Sequence, residues 1–79
     1  MTIRNHKELG EAIRAARLKK ELRQVDVARK ASLRQAVISE LENGTTCARM
    51  DTVLKVLAAL DLDLAIVPRR SAAFEPTEY

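Results

Sequence analysis

Two short amphipathic segments, separated by only two residues, constrain the fold of this 79-residue chain more than any other feature. Residues 24–31 and 34–43 each repeat apolar side chains at helical spacing. Ser32 and Leu33 leave room only for a tight turn, in which Ser32 can cap the following helix, and Gly44 stops that helix. The pattern predicts a mostly α-helical fold. The predicted inward residues are Val27, Ala28, Ala31, Leu33, Ile38 and Leu41.

Two further helices are predicted on either side of this pair. Asn5 can cap a helix over residues 6–20, with Glu8 at the spacing of a capping box. A fourth amphipathic helix is predicted over residues 50–60. The apolar residues that mark these helices are Leu9, Ala12, Ile13 and Ala16 in the first, and Met50, Val53, Leu54, Leu57 and Leu60 in the fourth.

After Asp61 the apolar spacing changes from helical to alternating, which predicts a β-strand over residues 62–68 with Leu62, Leu64 and Ile66 on one face. Because no other segment resembles a strand, one solution is pairing with the same strand of a second copy in a homodimer. The alternative is an extended tail lying on the helices. The predicted domain is residues 1–68, followed by a disordered tail over residues 69–79.

Composition narrows the classes of function. The single cysteine (Cys47) and single histidine (His6) exclude an intrachain disulfide and do not make a metal-ligand set, so no metal or cofactor is expected. We find no catalytic set: Glu40 and Glu42 lie on different faces of one helix. Cys47 is either an inert or a reactive thiol. Without a signal peptide or a long apolar run, a cytoplasmic protein with no membrane partner is expected.

The charge distribution is asymmetric. Residues 4–34 carry ten Lys and Arg against four Asp and Glu, a balance of +6, whereas residues 35–79 carry four against seven, a balance of −3. The basic half is either a solvated lysine-rich surface or a site for a polyanion. The only aromatic residues are Phe74 and Tyr79, which argues against stacking on single-stranded nucleic acid and favours duplex DNA.

Two short helices joined by a tight turn are typical of the helix-turn-helix, whose second helix places its N-terminal residues on base edges in the major groove. Arg34 and Gln35 occupy that position, where arginine pairs with guanine and glutamine with adenine, unless both are simply solvated. Ala36 allows close approach. Val37 contacts either a thymine methyl or helix two, and both interpretations remain open.

The span RQVDVARKASLRQAVISELENG resembles the helix-turn-helix of the Xre-type (lambdoid repressor/Cro-like) family. The resemblance covers residues 9–60 and implies a lambda-repressor-like domain of four to five helices, here with one C-terminal strand paired across a dimer. Two positions depart from the pattern: Ser32 replaces the usual turn glycine, and Arg23 replaces a Thr or Ser. The matching residues are Gln24, Val27-Ala28, Ile38-Ser39 and Leu41-Glu42-Asn43-Gly44.

The resemblance also implies roles for individual residues. Arg34, Gln35, Ala36 and Val37 are expected to contact bases. Arg17 and Glu42 are expected to form a structural ion pair. The expected phosphate contacts are Gln24, Ser39, Asn43, Thr45 and Thr46. Arg23, where the chain departs from the family pattern, is expected to add a further phosphate contact.

The helix-to-strand segment LKVLAALDLDLAIVPR is most similar to the HipB-type antitoxins. This similarity implies a helical homodimer closed by a small intermolecular β-lid, which represses its own operon at a palindromic operator. It also implies a HipA-like kinase toxin as partner. The alternative is a stand-alone phage-type transcriptional regulator without a toxin partner.

Overall fold

Four helices form most of the chain in the computed structural model, which describes residues 2–45 and 47–69. The predicted mostly helical fold is confirmed. The second helix has its predicted bounds, and each of the others is one residue shorter at one end. Thr46 and the predicted tail from residue 70 onward lie outside the described residues. The helices are α1 (His6–Lys19), α2 (Gln24–Ala31), α3 (Gln35–Asn43) and α4 (Met50–Ala59).

Asn5 begins α1 as its N-cap, because its side chain accepts a hydrogen bond from the Glu8 N–H at 2.8 Å. Glu8 completes a variant of the predicted capping box: its Oε1 accepts from the N–H of Arg4, one residue before the cap, at 2.8 Å. Two donors at the start of α1 are thereby satisfied.

All four helices end in the same left-handed turn. The residue after each helix, or the next one, has positive φ: Glu21 at 58°, Ser32 at 59°, Gly44 at 66° and Asp61 at 58°. The following N–H returns to the carbonyl five residues earlier, as in a Schellman motif. These bonds are Leu22 to Arg17, Leu33 to Ala28, Thr45 to Glu40 and Leu62 to Leu57, at 2.8–3.2 Å.

Ser32 therefore has a different role from the predicted one. It ends α2 in the left-handed conformation, where the family pattern has glycine, and it does not cap α3. Arg34, predicted as the first residue of α3, is instead its extended N-cap, with φ −79° and ψ 149°. Both residues of the predicted turn, Ser32 and Leu33, belong to the C-terminal turn of α2. Arg34 therefore serves as the N-cap, and α3 begins one residue later than its apolar spacing predicts.

The core lies between the faces of all four helices. Ile13, Val27, Ile38 and Leu60 are among its fully buried members. Two of the five apolar residues that mark α4 lie outside its buried face, because two apolar stripes overlap in its sequence. Met50 is 60% exposed and Leu54 is 46% exposed. The buried face is formed by Val53, Val56, Leu57 and Leu60.

The segment 62–69, here called the arm, follows α4 without regular secondary structure in the single chain. Its residues are all exposed, and Ile66 is 96% exposed. That exposure shows that Ile66 is not covered by the helices of its own chain. The predicted pairing with a second copy stays a prediction. In the described part of the chain, no helix is long and apolar enough to cross a bilayer.

Candidate nucleic-acid interface

An arginine–glutamate pair joins α1 to α3. Arg17 donates through Nε to Glu42 Oε2 at 2.6 Å and through Nη2 to Oε1 at 3.0 Å. Only 8% of Arg17 and 6% of Glu42 is exposed. The hydrogen bond to Glu42 raises the pKa of Arg17, aided by the charge of Glu42 and opposed by burial. Arg17 also donates through Nη1 to the Leu22 carbonyl at 2.9 Å, so the pair fixes the end of α1 as well.

Gln24, the first residue of α2, connects this pair to the start of α3. Its Nε2 donates to Glu42 Oε1 at 3.1 Å, and its Oε1 accepts from Gln35 Nε2 at 2.6 Å. A continuous chain of hydrogen bonds therefore runs from buried Arg17 through Glu42 and Gln24 to exposed Gln35. Since the inner members are buried or half-buried, they hold the outer glutamine in a defined place.

Gln35 keeps hydrogen-bonding groups for a ligand. The bond to Gln24 uses one N–H, which leaves the Oε1 acceptor and the second N–H. Adenine N6 and N7 require one acceptor and one donor. Arg34 precedes it as an exposed N-cap whose side chain makes no capping hydrogen bond. The two predicted base-contacting side chains therefore lie next to each other at the N-terminus of α3.

The next two predicted base contacts differ in exposure. Ala36 is exposed and presents only a methyl group. Val37 is half-buried and packs against the core, with part of its side chain left at the surface. The packing supports the interpretation in which Val37 helps to seat α3. Its exposed part remains beside Ala36.

Arg23 forms an ion pair within the first turn of α2. Its Nη2 and Nε donate to the two oxygens of Asp26 at 3.1 and 3.2 Å, and its backbone N–H donates to Asp26 Oδ2 at 2.8 Å. The side-chain bond to Arg23 is the largest cause that lowers the pKa of Asp26, and the same bond raises the pKa of Arg23. The guanidinium remains largely exposed beside Gln24.

The remaining predicted phosphate contacts lie toward the other end of α3. Gln35, Ser39 and Asn43 follow at intervals of four residues and share one side of the helix. Ser39 is half-buried and Asn43 is exposed. Thr45 is exposed just after the C-cap, with its hydroxyl 3.4 Å from the Glu40 carbonyl. Thr46 is outside the described residues.

Two parts of this arrangement were not predicted from the sequence. The Gln24–Gln35 bond joins two helices, and its only sequence signal is the glutamine that opens each helix. The second part is Gly10, which is buried where α1 crosses α3. A Cβ there would overlap the Leu41 carbonyl oxygen and lie 2.8 Å from that of Glu42. A glycine inside a helix was the available signal for this close crossing.

Away from the start of α3, the chain has an apolar groove of about 800 Å³ between residues 2–6 and the arm. Leu9, Leu41 and Val53 contribute to its lining, and exposed Ile66 stands on its rim. Cys47, a free and exposed thiol, also lies along the groove. Among the described residues, no group of three or more His, Cys, Asp or Glu is placed to hold a metal ion.

Comparison with known proteins agrees with this geometry. The family model described as Helix-turn-helix matches residues 13–67. Antitoxin HipB of Escherichia coli (strain K12) is 30% identical over 71 residues, which are 90% of this chain and 81% of that protein.

Solved structures extend the similarity to the three-dimensional fold. The structure described as a HipB-O4 20mer complex has a TM-score of 0.83 at 26% identity, over 89% of this chain and 99% of that chain. The HipA-HipB-O2-O3 complex has a TM-score of 0.82 at 26% identity, with the same coverage.

Proposed function

The chain belongs to the helix-turn-helix family, and we propose that it is a sequence-specific DNA-binding repressor that regulates its own operon and acts as the antitoxin of a HipA-like kinase. The observation that supports DNA binding is the series of side-chain hydrogen bonds from Arg17 and Glu42 through Gln24 to Gln35. It fixes an exposed glutamine beside Arg34 at the start of the second helix of the motif. In this proposal the chain acts by binding, without catalytic activity of its own, and it acts in the cytoplasm.

In the proposed complex, α3 lies in the major groove. Gln35 binds adenine through its free carbonyl and N–H, and Arg34 forks onto O6 and N7 of guanine. Ala36 and the exposed part of Val37 approach thymine methyl groups. Each bidentate pair discriminates against the wrong base by about 1–3 kcal/mol.

Affinity comes from the DNA backbone on both sides of α3. Arg23 and Gln24 contact phosphate at the start of α2, and the hydroxyl and amide groups of Ser39, Asn43, Thr45 and Thr46 do so along and after α3. These contacts set the register of α3 without distinguishing bases. They also make binding fall with salt, by about 0.9 log unit per log salt for each phosphate neutralised.

The active species is a homodimer joined through the arms. Leu62, Leu64 and Ile66 alternate along the arm, their side chains are exposed in the single chain, and the backbone there has no strand partner among the described residues. An antiparallel pair of arms across a twofold axis would cover the exposed side chains and pair the backbone groups. Two copies of α3 about 34 Å apart then bind the halves of a palindromic operator.

The antitoxin role is supported by the relatives. The chain is similar to antitoxin HipB over most of the length of both proteins, and a similar structure is described as a complex of HipB with HipA. We propose the corresponding partner here, a HipA-like kinase encoded nearby. If the kinase encoded nearby does not co-purify with this chain, the alternative function, a stand-alone phage-type regulator without a toxin partner, is supported instead.

The test of DNA binding is a gel shift and footprint of the purified chain on its own upstream region. The expected result is a discrete, palindrome-sized footprint that is lost in the Arg34→Ala/Gln35→Ala variant, while weak binding to random duplex persists. Equal loss on both duplexes would contradict base recognition by these residues. A melting curve of the variant controls for folding.

A further inference from the structure

The first turn of α1 lies directly against the C-terminal end of α3. A Cβ placed on Gly44 would lie 2.9 Å from Lys7 Cα and 3.3 Å from Lys7 Cβ. One turn later, Gly10 lets the same side of α1 touch the carbonyls of Leu41 and Glu42. The start of α1 therefore lies beside the segment that carries Asn43 and Thr45, two of the proposed phosphate contacts.

The side of α1 that faces this segment is basic. Lys7, Gly10, Arg14 and Arg17 follow at intervals of three and four residues, so they occupy one stripe of the helix. Gly10 and Arg17 are buried in the crossing, which places Lys7 and Arg14 at its edge. By helical rise, their Cα atoms lie about 10 Å apart along the axis.

Both edge residues are available for a ligand. Lys7 and Arg14 are exposed, and the side chain of neither forms a hydrogen bond or ion pair with another described residue. This distinguishes them from Arg17, which is buried and paired with Glu42. A lysine in the first turn is also unfavourable for α1 itself, because the helix dipole is positive there. Local helix stability does not explain its presence.

From this placement we infer that Lys7 and Arg14 bind DNA phosphates. These two residues, here called the α1 edge, would extend the row of phosphate contacts formed by Asn43 and Thr45 onto α1. The inference rests on the proposed function, and it names an additional contact surface for the same duplex. Exposed Glu11 lies between the two cations along the helix and opposes this role. Its carboxylate should reduce the affinity that the edge provides.

The test compares two double variants that each remove two positive charges. Lys7→Gln/Arg14→Gln removes the proposed edge. The matched control, Lys30→Gln/Lys55→Gln, removes two lysines that line a shallow cleft between the end of α2 and α4. Affinity for the upstream region and for a random duplex is measured by fluorescence anisotropy at several salt concentrations. Melting curves check that both variants fold.

The edge variant is expected to bind both duplexes more weakly by a similar factor. Its salt slope should fall by about 0.9 for each phosphate that is no longer neutralised, or about 3.6 for four phosphates in a dimer. The control should change little. Lys7→Arg/Arg14→Lys should retain the wild-type slope, and Glu11→Gln should strengthen binding to both duplexes. Edge and control variants with equal salt slopes would overturn the inference.

Gln35→Ala separates this outcome from failure of the proposed function. If Gln35→Ala weakens binding only to the upstream region while the edge variant behaves like its control, DNA recognition stands and the α1 edge is wrong. If the wild-type chain shows neither a salt slope nor a preference for the upstream region, the proposed function fails and the inference falls with it.

Discussion

In the junction of α1, α2 and α3 a charged pair is buried and fully hydrogen-bonded, whereas in the arm apolar side chains are exposed and uncovered. Arg17 and Glu42 satisfy each other within one chain. Ile66, by contrast, is 96% exposed in that chain. The first region is complete within one copy, whereas the second leaves apolar surface for the second copy of the dimer we propose. In that proposal, DNA recognition by α3 depends on the first region, and half-site spacing depends on the second.

The largest expected effect comes from breaking the junction. Glu42→Ala leaves the Arg17 guanidinium buried without its partner, and removing one member of a buried pair costs about 3–5 kcal/mol. Urea unfolding of the variant measures the loss. Arg17→Met/Glu42→Leu removes both charges and should recover much of the free energy of unfolding. A loss below about 1 kcal/mol in Glu42→Ala would show that the junction does not depend on the pair.

A smaller effect is expected in the arm, and it should appear in association. Ile66→Ala removes a side chain whose full burial contributes about 1.5–3 kcal/mol per protomer. Sedimentation equilibrium should show a weaker dimer. Helix content by circular dichroism should not change. Ile66→Pro, which also removes a backbone donor, should act in the same direction. An unchanged mass at micromolar concentration would contradict dimerisation through the arm.

At the crossing of α1 and α3, two effects predict opposite signs for the change in the free energy of unfolding caused by Gly10→Ala. Helix propensity alone predicts that Gly10→Ala stabilises α1 by up to about 1 kcal/mol. The added Cβ would overlap the Leu41 carbonyl oxygen, so we expect a net destabilisation of about 1–2 kcal/mol instead. Thermal unfolding decides between the two. A raised melting temperature would mean that α1 and α3 do not approach as closely as this crossing requires.

The smallest expected effect is on the free energy of unfolding at acidic pH. Because the pKa of Asp26 is lowered in the folded chain, its contribution is present above its ordinary value of 3.8 and is lost as the pH falls through the folded pKa. The free energy of unfolding should decline below about pH 4, and less so in Asp26→Asn. The hydrogen bond to Glu42 raises the pKa of Arg17, which is already strongly basic, so Arg17 should stay charged and add no pH dependence between pH 5 and 9. Identical acid profiles for the two proteins would contradict the Arg23–Asp26 pairing.

The sequence predicted the helices well, because apolar spacing and caps are local signals. Asn5 and Gly44 mark helix ends where they were expected. Apolar spacing did not separate Met50 and Leu54 from the buried residues of α4, since a helix with two apolar stripes does not indicate which stripe faces the core. The exposure of both shows that the choice is made by the other helices, which pack on Val53, Val56 and Leu57.

In the candidate site the Arg17–Glu42 pair was expected from the family resemblance and is present, whereas the bonds through Gln24 were not expected. Arg34 and Gln35 follow from their position at the start of the second helix of the motif. The link through Gln24 depends on the angle between α2 and α3, and no local pattern specifies a 2.6 Å contact between residues eleven apart. Lys7 lies 37 positions from Gly44 and gave no signal until the crossing at Gly10 was visible.

The central claim is that Gln35 contacts an adenine base, and a chemical double-mutant cycle tests it most directly. Each adenine in the footprinted upstream region is replaced in turn by 7-deazaadenine, which lacks the N7 acceptor, and binding of wild type and Gln35→Ala is measured. At one adenine per half-site, the substitution should weaken wild type and leave Gln35→Ala unaffected, so that the losses do not add. Additive losses at every adenine would contradict the claim and leave Gln35 as a residue that only positions α3.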